Sequence, residues 1–119
     1  MHHAIIADGC IISDAHVDRA VIGIRTVIET GATIRNSVLM GADFYEGDAP
    51  QTNPGNPPLG IGRNCVIDRA IIDKNARIGE GTVITPDGKA PNVDGTNFYI
   101  RDGIVVIPKN AVLPAGSWI

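Results

Sequence analysis

The stretch Ile22-Gly-Ile-Arg-Thr-Val-Ile28-Glu-Thr-Gly-Ala-Thr-Ile34-Arg-Asn-Ser-Val-Leu39 decides the fold, because its isoleucines return every six positions. That period fits neither an amphipathic helix nor an alternating strand. It is the signature of a parallel β-helix built from hexapeptides. Upstream, Ile6-Ala-Asp-Gly-Cys-Ile and Ile12-Ser-Asp-Ala-His-Val keep the same step. Downstream, Ile61, Ile67, Ile72, Ile78 and Ile84 continue it, and Ile107, Leu113 and Ile119 resume it. Each hexapeptide supplies a short strand and a corner, and three close a triangular coil of about 18 residues. Successive coils lie roughly 4.8 Å apart.

Two positional preferences agree with the period. The third residue after an anchor falls at a corner, where a positive φ is often needed, and Gly9, Gly31, Asn64, Asn75, Gly81, Asn110 and Gly116 stand there. Gly and Asn tolerate that conformation best. The next residue must be small, as Cys10, Thr26, Ala32, Cys65, Ala76, Thr82, Ala111 and Ser117 are. The expectation is an all-β chain, a single-stranded parallel β-helix of roughly four coils. The pattern does not give the hand of the coil, since crossovers between parallel strands are normally right-handed.

The 119 residues fit one domain, 1–119. A net charge of −3 offers no basic surface for nucleic acid, and 4% aromatic residues are too few for a base-stacking platform. No run of 18 apolar residues is present, so no membrane span is expected, and the first residues do not read as a signal peptide. Both cysteines occupy the small corner position, which suits buried free thiols in a reducing compartment. No CxxC or His/Cys cluster favours a disulfide or a metal.

The period breaks twice. Residues 40–60 contain Asn53-Pro54-Gly55-Asn56-Pro57-Pro58, and residues 85–106 contain Pro86-Asp87-Gly88 and Asn92-Val-Asp-Gly95. Such clusters are loop chemistry. Loops this long usually carry function or an interface. The steps from Ile12 to Ile22 and from Ile67 to Ile72 are also irregular, at ten and five residues.

Val21-Ile-Gly-Ile-Arg-Thr-Val-Ile-Glu-Thr-Gly-Ala-Thr-Ile34, Leu39-Met-Gly-Ala-Asp-Phe-Tyr-Glu46, Gly60-Ile-Gly-Arg-Asn-Cys65, Ala70-Ile-Ile-Asp-Lys-Asn-Ala-Arg-Ile-Gly79 and Gly103-Ile-Val-Val-Ile-Pro-Lys-Asn-Ala-Val-Leu-Pro-Ala-Gly116 together resemble one family. They look like the C-terminal domain of the glucose-1-phosphate adenylyltransferases (ADP-glucose pyrophosphorylases), in their plant and cyanobacterial form. The resemblance covers almost the whole chain. It implies a left-handed β-helix that follows a catalytic nucleotidyltransferase domain, helps assemble a homo-oligomer and shares an allosteric anion site with the catalytic domain. The parent reaction joins ATP and glucose 1-phosphate, giving ADP-glucose and pyrophosphate for glycogen or starch synthesis, with ATP and Mg as its requirements. No Gly-x-Gly-x-x-Gly loop stands in residues 1–119, so no catalytic residue and no cofactor are assigned to this chain. The catalytic domain is expected to lie outside it. A cytoplasmic location is expected, or the plastid stroma in a plant.

Lys74 and Lys109 each stand two residues after an anchor, Ile72 and Ile107. If the 85–106 segment hides no repeat, they occupy matched positions in adjacent coils. Stacked ammonium groups repel unless an anion or a carboxylate lies between them. Phosphate suits a pair of lysine point charges. The resemblance links these two lysines to activation by 3-phosphoglycerate and inhibition by phosphate. Arg77 could reach the same patch, and Arg63 is a weaker candidate. Pro108 stands where the family more often has an apolar residue, and it removes a backbone donor.

His16 falls at what reads as an interior corner. In β-helix acyltransferases a histidine serves as general base, so a free-standing hexapeptide acyltransferase is the rival reading, with a purely structural oligomerisation module as a third. His2 and His3 lie at the chain's start. Trp118 is expected to cap the last coil or to meet a partner. Asp43, Tyr45 and Glu46 enter the first break, where they either anchor that loop or contact the catalytic domain.

Overall fold

The computed structural model describes residues 2–48 and 55–119. Met1 and residues 49–54, including the Asn53-Pro54 start of the proline-rich cluster, lie outside them. The chain winds as a three-faced parallel β-helix, and its anchors stack in three columns. One column runs Ile6, Ile22, Leu39, Ile72, Ile107. The second runs Ile12, Ile28, Ile61, Ile78, Leu113. The third runs Val17, Ile34, Ile67 and Ile84, and ends at Ile119, whose amide donates to the Val83 carbonyl.

The described stack is therefore five anchors deep, one more than the roughly four coils expected. The difference lies in the pairs 17 residues apart, Val17↔Ile34, Ile22↔Leu39, Ile61↔Ile78 and Ile67↔Ile84. Each such turn contains two six-residue steps and one of five. The five-residue steps end at a tighter corner, where Arg19 (φ 49), Asn36 (φ 51) and Arg69 (φ 49) are left-handed two residues after the anchor. Val17 is the anchor inside the ten-residue gap, and it is 2% exposed. The 67–72 step and the Val17–Ile22 half of the ten-residue gap are thus the rule at one corner, whereas Ile12 to Val17 is a shortened step at another, where Ile28 to Ile34 and Ile61 to Ile67 take six. The strand His16–Ile22 bends through this corner and serves two faces, pairing with Thr33–Arg35 on one and Val38–Leu39 on the other.

The other corners follow the sequence reading. All seven expected Gly and Asn residues have positive φ, and Arg25 (φ 56) joins them. The small residues behind them close the corners with short bonds, as when the Thr26 hydroxyl donates to the Gly23 carbonyl at 2.7 Å and the Thr82 hydroxyl to the Gly79 carbonyl at 2.8 Å. Cys10 and Cys65 are free thiols in the same role, each 3.1 Å from the carbonyl of Gly23 or Gly79. Ile22, Ile28, Ile34, Ile67, Ile78, Ile84 and Ile107 are fully buried. Each contributes about 1.5–3 kcal/mol by leaving water.

The 85–106 break is not a plain loop. Val93–Asp94 and Tyr99–Arg101 are strands that add an antiparallel meander to the edge of Ile104–Ile107. Asp102 (φ 50) and Gly103 (φ 75) make the tight turn between the last two, the left-handed pair that two-residue hairpins require. Ile100 and Val105 bury their side chains fully, so the meander extends the core. The meander holds no further hexapeptide, and Ile72 pairs directly with Ile107.

His16 is exposed, contrary to its expected interior corner. The displaced anchor explains this: with Val17 pointing inward, the residue before it points out. Trp118 is 78% exposed and bridges to Val83 only through its backbone, so its ring does not fold over the last coil.

Candidate functional site

The site grows from one corner of the helix. The residues two positions after the first column of anchors are Asp8, Ile24, Gly41, Lys74 and Lys109. The Ile72↔Ile107 pairing puts Lys74 and Lys109 at the same place in successive coils. The Asn110 amide donating to the Lys74 carbonyl at 3.0 Å continues that register through the corner, where Asn75 (φ 62) and Asn110 (φ 63) turn alike. The alignment expected from the sequence is thus present, and Pro108 does not disturb it.

The first insert leaves the helix one coil above, through Gly41. This glycine has φ +95, and a Cβ there would sit 2.3 Å from the Ile24 carbonyl oxygen. Only glycine fits that approach. Two residues later Asp43 reaches back to the lysine column. Its Oδ1 lies 3.1 Å from Lys74 Nζ, and its Oδ2 accepts from Asn75 Nδ2 at 3.0 Å. The Asp43 amide donates to Asn75 Oδ1 at 2.9 Å, so Asn75 holds both the backbone and the carboxylate. The Asn75 hydrogen bond, then Lys74, and more weakly the charge of Lys109, hold the Asp43 carboxyl below the usual carboxylate range. A carboxylate therefore already lies against the lysine pair. Lys109 is exposed and makes no ion pair among the described residues.

Arg77 takes a different part. It is 6% exposed, and its Nη1 donates to Glu46 Oε1 at 2.7 Å and to the Pro57 carbonyl at 3.1 Å. It holds both ends of the 40–60 insert against the helix face rather than turning to the lysines. Tyr45 adds a hydroxyl bond of 2.9 Å to the Gly9 carbonyl. Asp43, Tyr45 and Glu46 are thus loop anchors, one of the two roles expected of them. Arg63 is exposed two residues after Ile61, at another corner, and is not brought to the lysines. The second insert is tied down by Asp87 against Arg69, which also holds Asp68 at 2.9 Å. Asp43 as a partner of Lys74 was the contact the sequence did not show. The only hint was the requirement for some negative group beside stacked lysines. Among the described residues no cluster of three or more His, Cys, Asp or Glu is placed to hold a metal.

These features define a hexapeptide β-helix with two latched inserts and a paired-lysine corner. Within that class the chain belongs to the family of the GLGC left-handed parallel beta-helix domain, whose profile matches residues 1–117, and its coil is left-handed accordingly. A wheat (Triticum aestivum) protein, glucose-1-phosphate adenylyltransferase small subunit, chloroplastic/amyloplastic, is 42% identical over 123 aligned positions covering 98% of this chain. The chain spans about a quarter of that relative's length, 26%.

Proposed function

We propose that this chain is the regulatory and oligomerisation domain of a glucose-1-phosphate adenylyltransferase and binds an anionic effector between Lys74 and Lys109. The observation that carries this reading is the register of the two lysines in successive coils. Two lysines whose backbones stand one strand spacing apart, roughly 4.8 Å, make a focus of positive charge that a phosphate or a phosphoglycerate matches in charge. The parent reaction, ADP-glucose and pyrophosphate from ATP and glucose 1-phosphate, belongs to a catalytic domain. The effector acts by favouring one arrangement of the two domains. The cell compartment follows the parent, cytoplasm or plastid stroma.

The assembly role is supported by one exposed face. Ile5, Val21, Val38 and Ile71 stand in register on successive strands and point outward, at 70%, 42%, 36% and 37% exposure. An apolar ladder of this kind suits contact with another subunit or domain.

The test is calorimetric titration of the 119-residue chain with 3-phosphoglycerate and with phosphate, alongside Lys74→Ala and Lys109→Ala. The reading expects weak binding by the wild type and loss in both variants. Equal binding by all three would place the anion elsewhere. No binding, with no change in melting temperature, would leave a structural module. The acyltransferase alternative would need a working His16, and no described residue bonds to that exposed side chain.

A further inference from the structure

We infer that Asp43 is a built-in anion occupying the Lys74 half of this corner, so that an arriving anion must displace it and in doing so loosens the first insert. The inference rests on the lysine-pair reading above and adds its regulation. Among the described residues Asp43 is the carboxylate ion-paired at the two lysines, while the neighbouring Asp73 accepts from the Lys74 amide at 2.7 Å. Asp43 is bonded to Lys74 at 3.1 Å, while Lys109 makes no ion pair among the described residues. Only one of the two ammonium groups is therefore ion-paired. A dianion such as phosphate offers both ammonium groups a partner, which the carboxylate does not. The Lys74 and Asp43 side chains are each 39% exposed, so an anion from solvent can reach them.

Displacement has a mechanical consequence. Two ion pairs hold the insert, Asp43 with Lys74 and Glu46 with Arg77, beside the bonds from Asn75 and Tyr45. The spacing repeats, three residues between the acids and three between the bases. Of the two, the Arg77 latch is the permanent one, because that guanidinium is buried and also bonded to Pro57. The Lys74 latch is exposed and open to competition. An anion that takes Lys74 removes one of the bonds on the Asp43 carboxylate and leaves the insert on Asn75, Tyr45 and Arg77, so occupancy of the corner is converted into a local loosening at residue 43.

Titration of inorganic phosphate into the 119-residue chain and its Asp43→Asn and Glu46→Gln variants tests this at constant chloride. Removing the competing carboxylate should tighten phosphate binding roughly two- to five-fold, the worth of an exposed ion pair. Glu46→Gln removes an equal charge from the same insert without touching the lysines, and should leave the affinity unchanged. Wild-type binding with Asp43→Asn no tighter would overturn the competition and leave the lysine pair standing. Equal tightening in both variants would also overturn it, since it would reflect net charge alone. Absence of phosphate binding in wild type and Asp43→Asn alike would remove the lysine-pair reading, and this inference with it.

Discussion

The carboxylate of Asp43 lies 3.1 Å from the ammonium of Lys74, and these residues come from adjacent coils 31 positions apart. One belongs to the helix corner and the other to the insert that covers it. Their contact joins the regular part of the fold to its main irregularity.

That contact has a pH dependence of known sign. The folded carboxyl is held below its usual range by Asn75 and then Lys74. Its contribution to stability is therefore complete above the unfolded value of about 3.9 and is lost only as pH falls through the lowered folded value. Carbon-detected NMR of the Asp43 side chain should give a midpoint below that of the urea-unfolded chain. A midpoint at or above the unfolded one would mean that the bonds to Asn75 and Lys74 do not persist in solution.

The core should respond to truncation by column and not by hydrophobicity. Ile34 is fully buried between Val17 and Ile67. Ile34→Ala should cost about 2–5 kcal/mol in urea unfolding. Val38 points outward at 36% exposure, and Val38→Ala should stay within about 0.5 kcal/mol. Similar losses for both would contradict the assigned faces.

Arg77 should act locally. Arg77→Met removes the bonds to Glu46 and Pro57 but keeps most of the buried stem. Hydrogen exchange at residues 43–48 and at Leu59 should accelerate roughly ten-fold or more, since one charged bond is worth about 1.5–3 kcal/mol. The coil amides should keep their protection. Unchanged exchange in the insert would show that another contact holds it.

The Cys65 thiol is fully buried, and burial pushes its pKa up. It should react with a thiol-specific disulfide reagent only at the rate of global unfolding. Rapid labelling of Cys65 in the native chain would contradict the closed corner around it.

Much of this was legible in the sequence, for a physical reason. A coil repeats its geometry, so each anchor, left-handed corner and small residue leaves the same mark, and Ile28, Gly31 and Ala32 can be read directly. The match of Lys74 with Lys109 followed from counting anchors. What stayed hidden breaks the period. The five-residue corner uses Arg19, Asn36 and Arg69, residue types without a common signature. The alternation from Phe98 to Ile107 around Asp102-Gly103 carried a hairpin signal, masked by its place within a gap in the repeat. The Asp43 and Glu46 latches depend on where a long insert folds back, which no local pattern encodes.

The most direct measurement is a residue-resolved NMR titration of the chain with 3-phosphoglycerate. The account predicts that the Lys74 and Lys109 side-chain signals shift together with the Asp43 amide along one binding curve. Lysine signals that stay fixed at saturation, or move only with those of distant residues such as Arg63, would contradict an anion site at this corner.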